Sequence, residues 1–189
     1  MNDSGPPAHI VCVVSDPTPS RRLARGAVLG DPLVRELLEA RLVGVFGTFD
    51  PSGTIHAVPM WYAAGEGCVV LATGSRSRKV RNLEQDSRAS LVLHDSRPGF
   101  EVCGVSIAGR AEVVRGLEAR PLVDLVHLRY VSSDLDPPPT VREFLASDDI
   151  ALRFRPESAL TWDERRSEAS EALRKMHGAL PLVPTDPRP

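Results

Sequence analysis

The chain has 189 residues, enough for one domain with a substantial core and no need of disulfide staples. Its net charge of −2, with 25% charged and 42% hydrophobic residues, argues against a generally basic nucleic-acid binder and fits an ordinary globular protein. Three cysteines without a C-x-x-C pair indicate neither a disulfide framework nor a zinc site, and no apolar run approaches the roughly 18 residues of a membrane span. Asp3 and Pro6-Pro7 stand where a signal peptide carries its basic and apolar stretches, so a cytoplasmic location is expected.

Residues 1–30 read as arm or loop, with Ile10 to Val14 as their one strand-like run. Asp31-Pro32 is an N-cap followed by proline at the first helical position, and Leu33, Leu37 and Leu38 supply the stripe of a short helix. The period then changes to two. Leu42 to Phe49 and Thr54 to Ala63 read as strands around the turn Asp50-Pro51-Ser52-Gly53, and Gly65-Glu66-Gly67 turns the chain into a third strand, Cys68 to Thr73. A helix is expected over Ser77–Gln85, a strand over Arg88 to His94, a loop at Pro98-Gly99, and a long strand over Glu101 to Arg115 with Gly104 and Gly109 as bend or bulge points.

Leu117 to Tyr130 is helical by the spacing of Leu122, Leu125, Val126 and Tyr130. A loop around Pro137-Pro138-Pro139 leads to a brief helix, Val141 to Ser147, and Pro156 hinges two strands, Ile150 to Arg155 and Ser158 to Trp162. Glu168 to His177 is a helix whose acidic start and basic end suit its macrodipole, and the chain from Pro181 reads as a proline-rich disordered tail. Six or seven antiparallel strands with helices inserted at separate points predict a barrel of α+β type, mainly β. The expected organisation is an arm (1–30), a barrel domain (31–163) and a C-terminal helix with tail (164–189).

The most informative segment is Leu71-Ala-Thr-Gly-Ser-Arg-Ser-Arg-Lys-Val-Arg-Asn-Leu83. A strand runs into a hydroxyl-rich turn that opens a helix at Ser77, Arg78 and Lys79. Backbone N–H groups, hydroxyls and cations then converge as an anionic phosphate requires. Lysine occurs only at positions 79 and 175. The turn is not a P-loop, since the second glycine before the lysine is missing. An ordinary solvated helix start is the plain alternative. Five scattered histidines without an i, i+4 pair offer no metal site, and Cys12, Cys68 and Cys103 lie in apolar strand contexts as inert core residues.

The hairpin from Phe46 to Tyr62, the turn from Thr73 to Leu83 and the closing segment Leu152-Arg-Phe-Arg-Pro-Glu-Ser-Ala-Leu-Thr-Trp162 together resemble the pyridoxamine 5′-phosphate oxidase-like superfamily. The likeness covers about residues 32–163 and is nearest to the flavin- or deazaflavin-dependent oxidoreductases. It implies an FMN-binding split β-barrel, antiparallel and of Greek-key type with peripheral helices. It further implies a homodimer with two cofactor sites at the subunit interface. Carried over, it places the cofactor phosphate at Thr73, Ser77, Arg78 and Lys79, and the ring system along Val58, Pro59, Met60 and Trp61, with Asn82 as a further polar position. The stretch from Asp163 to Ser170 lacks the Arg-rich, His-containing pattern with which true pyridoxamine phosphate oxidases grip the vitamin's phosphate. The Arg and Lys expected on the second strand are replaced by His56 to Trp61. Both departures argue against vitamin B6 oxidation.

In such an enzyme the cofactor transfers hydride while the protein positions and tunes it, so no catalytic triad is expected. Tyr62 and His56, near the ring segment, are the candidates for a general acid, and the residues alone assign that role to neither. The cluster from Arg76 to Arg81 carries more positive charge than one phosphate needs, and the composition, rich in Arg, Ala, Gly and Pro, is that of a GC-rich genome. Both favour the deazaflavin coenzyme F-420, with its anionic tail, over FMN. The expected activity is hydride transfer to or from a small organic substrate. The alternative is a non-catalytic flavin-, deazaflavin- or haem-binding protein on the same barrel.

Overall fold

A computed structural model describes residues 20–97, 101–131 and 138–177. The expected strand at Ile10 to Val14, the loop at Pro98-Gly99, Cys12 and the tail from Pro181 lie outside these residues. Helix α1 (Pro32–Glu39) begins as the sequence predicts: the Asp31 carboxylate accepts from the N–H groups of Leu33 at 3.0 Å and Val34 at 3.3 Å, with proline at the first helical position. Its Val34, Leu37 and Leu38 are buried.

The barrel strands are β2 (Gly44–Phe49), β3 (Ile55–Met60), β4 (Tyr62–Gly65), β5 (Cys68–Gly74), β6 (Arg88–Arg97), β7 (Glu101–Val114) and β8 (Asp149–Asp163), preceded by β1 (Arg21–Ala24). They form one antiparallel sheet in the order β3-β2-β6-β7-β8-β5-β4, with β1 also paired to β8. Two corrections to the expected topology follow. Residues Arg21–Ala24, read as arm or loop, form β1 beside β8. The single returning strand expected over Thr54 to Ala63 is two strands meeting at Trp61: β3 pairs with β2 and β4 pairs with β5, at opposite ends of the sheet path. Consecutive strands at opposite ends require the sheet to curl until its two edges meet. Trp61 sits at that seam, which covalent linkage rather than a hydrogen-bonded ladder holds together.

The closing strand is likewise one element, not two hinged at Pro156. Glu157 is the extra residue of a bulge opposite Ala108/Gly109, so the strand turns without stopping. Helix α2 (Arg78–Gln85) follows β5, α3 (Ala119–Tyr130) packs against β4, β5 and β8, and α4 (Pro139–Leu145) and α5 (Glu168–His177) lie on either side of β8 in sequence. Among the described residues no helix is long and apolar enough to cross a membrane.

Two cores result. Inside the barrel, Phe46, Tyr62, Leu71, Leu91, Ile107, Leu152 and Phe154 pack together, with Phe46 and Phe154 edge to face at 5.8 Å. Outside it, Ala63, Val70, Val114 and Ala151 meet Val123 and Val126 of α3. Strand β5 contributes alternate residues to both cores, which explains its unbroken apolar run. Leu125, expected on the buried stripe of α3, is 43% exposed, while Val123 and His127 turn inward.

Candidate functional site

At the seam lies a cleft of about 530 Å³, within the size range of small-molecule sites. Its lining is apolar at Val43, Pro59, Met60, Trp61, Ala72 and Val126, and polar at Thr73, Gly74, Lys79, His127 and Asp149. The fold brings these together because the antiparallel β4–β5 ladder sets the β3–β4 junction beside the end of β5, with α3 as the third wall.

Lys79 is the cation of the cleft. From the first turn of α2 its half-buried ammonium donates to Thr73 Oγ1 at 2.9 Å. Thr73 in turn donates to Ser77 Oγ at 3.3 Å. Ser77 is the N-cap residue, yet its hydroxyl does not cap the helix. Burial pushes the Lys79 pKa down from its ordinary value, and the nearby Asp149 carboxylate partly offsets the shift.

Of the nine residues singled out by sequence, Pro59, Met60, Trp61, Thr73 and Lys79 line the cleft. The other four serve its frame. Arg78 pairs with Asp50 at 2.6 Å, which fastens the start of α2 to the β2–β3 turn. Asp50 also accepts from Ser52 and Thr54, and these bonds, led by the Ser52 hydroxyl, hold its carboxyl below the usual range. Asn82 is buried and donates to Thr48 Oγ1 at 3.0 Å, tying α2 to β2. Val58 packs against the barrel core, and Ser77 supports Thr73. The basic cluster therefore does not form one groove: Arg78 is bound to Asp50, and Arg81 folds back onto the Arg76 carbonyl at 3.0 Å.

Trp61 stacks on Tyr130 with ring centroids 4.9 Å apart and planes 2° from parallel. The Tyr130 hydroxyl donates to the Leu42 carbonyl at 2.6 Å, and Arg129 donates to the carbonyls of Leu38 and Ala40. The end of α3 is thus fixed to the segment that enters β2, and the Trp61 wall with it. Tyr62 is fully buried, donates to the Leu37 carbonyl at 2.7 Å, and has its pKa raised by desolvation, so it is a core residue and not an acid in the cleft.

Sequence reasoning missed His127 and Asp149. His127 is buried, and its Nε2 lies 3.3 Å from Asp149 Oδ2; Asp149 stands opposite Gly74 in the β5–β8 ladder. A histidine within the Val123, Val126, Tyr130 stripe was the available signal, since it is a titratable group on the packed face of a helix.

Residues 31–163 match the family model of pyridoxamine 5′-phosphate oxidase. No curated protein matches the chain. Among solved structures, a conserved hypothetical protein from Mycobacterium tuberculosis is similar at 27% identity and a TM-score of 0.62, over 76% of this chain and 91% of that one. An F-420 reductase is similar at 22% identity and a TM-score of 0.51, over 66% of this chain and 94% of that one. The haem storage protein HutZ from Vibrio cholerae is similar at 14% identity and a TM-score of 0.56, over 70% and 94%. At these identities the last two share the fold alone. With seam, sheet order and the matched span in agreement, the chain belongs to the pyridoxamine 5′-phosphate oxidase-like superfamily and has its split-barrel fold.

Proposed function

We propose that the protein is an oxidoreductase that seats a flavin-type cofactor, F-420 or FMN, in the seam cleft and exchanges hydride with a small organic substrate. The observation that carries this reading is Lys79: a half-buried ammonium, desolvated and joined to the Thr73 hydroxyl, in a cleft whose remaining lining is largely apolar and aromatic. That lining suits both a phosphate and a planar ring. Lys79 and Thr73 hold the phosphate. Pro59, Met60 and Trp61 give the ring a flat, water-poor wall, kept in place by Tyr130. When bound, the flavin or deazaflavin supplies the hydride chemistry; the chain's own residues bind, orient and exclude water. Arg165, in the segment where B6 oxidases grip their substrate, is bound instead to Glu36 and Asp163, which supports a substrate other than the vitamin.

The site as a homodimer interface is supported by the outer face of the β2–β3 hairpin. Val43, Val45 and Ile55 are 52%, 44% and 64% exposed, and this apolar strip is continuous with the cleft through Val43 and Pro59. A second protomer on this face covers the strip and roofs the cleft at once. The non-catalytic reading, a barrel that binds a flat ligand without turnover, is favoured by the likeness in fold to HutZ.

The test is titration of FMN and of F-420 into the parent and Lys79→Ala. Loss of one charged contact is expected to weaken binding by about 10- to 150-fold, that is, about 1.5–3 kcal/mol. Equal binding by the variant contradicts the site. Oxidation of reduced cofactor by an added acceptor separates enzyme from binding protein.

A further inference from the structure

The ionisable side chains that line the cleft, among the described residues, are Lys79, Asp149 and His127. Counted with a neutral imidazole, they sum to zero. A phosphate seat with one cation ordinarily keeps carboxylates away, yet here Asp149 lies within the electrostatic reach of Lys79, only 14% of its side chain exposed, and holds His127 at 3.3 Å. The other charged groups nearby are committed elsewhere or face outward: Asp148 accepts from Ser75 Oγ at 3.0 Å on the surface, Arg129 is bound to the Leu38 and Ala40 carbonyls, and Arg78 to Asp50.

From this arrangement we infer that Asp149 is a specificity-determining residue, which makes the seat favour a singly charged phosphodiester over a doubly charged phosphate monoester. The inference rests on the proposed cofactor site. A first negative charge beside Lys79 forms an ion pair. A second gains from Lys79 much of what it loses to Asp149, and it must still be stripped of water. A phosphate monoester carries about −1.5 to −2 charge at neutral pH, a diester only one. The monoester of FMN therefore enters most readily with a proton on its own phosphate, as a single charge. The diester that joins the deazaflavin of F-420 to its tail enters without a proton.

The experiment measures dissociation constants of FMN and F-420 for the parent, Asp149→Asn and Lys79→Ala, with circular dichroism of each to verify folding. Asp149→Asn should improve FMN binding by about tenfold and F-420 binding by clearly less, a shift of the size expected from removing one like charge at partly screened range. At 0.1 M salt, tail carboxylates of F-420 farther than about 10 Å from position 149 drop out of this double ratio. Calorimetry of the parent at pH 7 in two buffers of different ionisation enthalpy should show proton uptake with FMN and none with F-420. An unchanged FMN to F-420 ratio in Asp149→Asn, or FMN binding without proton uptake, overturns the inference. If Lys79→Ala weakens both cofactors in that case, the cofactor site stands and only the role of Asp149 falls. If Lys79→Ala binds both as the parent does, the site itself is wrong.

Discussion

Lys79 concentrates the chemistry of the cleft in one side chain. Burial disfavours its charged form, so its pKa falls below the ordinary 10.5, with Asp149 pulling in the opposite direction. For the unliganded chain the sign is clear: the penalty on the buried ammonium is fully present below the lowered folded value. It is relieved as pH rises from there toward the unfolded value, so stability increases across that window. Anion binding runs the other way, because the neutral amine has no charge to offer. Affinity for a phosphate-bearing cofactor is thus expected to fall as pH rises, beginning below the range of an exposed lysine, while urea midpoints of the unliganded chain rise. Titrations and unfolding curves between pH 7 and 10.5 check both trends, and an affinity constant across that range contradicts the role of Lys79. Its neighbours show how residues close in sequence divide their labour: Arg78 fastens the helix to the hairpin turn, and Asn82 anchors it through Thr48.

Strands β7 and β8 illustrate how element packing depends on missing side chains. A Cβ on Gly104 would lie 2.2 Å from Trp162 Cζ2 and 2.9 Å from the Leu93 carbonyl oxygen, so neither the indole nor the backbone leaves it room. Gly104→Ala is expected to cost about 1–3 kcal/mol, seen as a lowered urea midpoint, with cofactor affinity retained by the folded fraction because Gly104 lies outside the cleft. An unchanged midpoint contradicts this packing. Much at this scale was legible in the sequence. The capped start of α1, the Asp50–Gly53 turn and the bulge opposite Gly109 each carry a local residue signature that the structure reproduces, and α2 falls within one residue of its expected range. The partners of strands were not legible. Thr54 to Ala63 reads as one strand because alternation continues through Trp61, and only the far pairing of β4 with β5 reveals the break. Asp149 and His127 escaped notice for the same reason: they lie 22 positions apart and are brought together only by α3 packing over β8. Pro156 reads as a hinge because proline interrupts a ladder, but a bulge absorbs it here.

The described residues form a curled sheet with helices outside it, and the cleft opens where the sheet's two edges meet at Trp61. Beside it the β2–β3 hairpin leaves Val45 and Ile55 exposed, an apolar strip that a second copy is expected to cover. Val45→Glu combined with Ile55→Glu should reduce the solution mass from twice 20.5 kDa to 20.5 kDa in sedimentation equilibrium, and weaken cofactor binding together with it. A parent that already sediments as a monomer contradicts the shared site. The central claim, that a planar cofactor lies along Pro59, Met60 and Trp61, is tested most directly by fluorescence. The chain has two tryptophans, and only Trp61 lines the cleft. In a Trp162→Phe background the emission comes from Trp61 alone. Saturable quenching of that emission by FMN or F-420, shifted to higher cofactor concentration in the additional presence of Lys79→Ala, is the predicted result. Cofactor binding that leaves Trp61 emission unchanged would place the ring elsewhere and contradict the account.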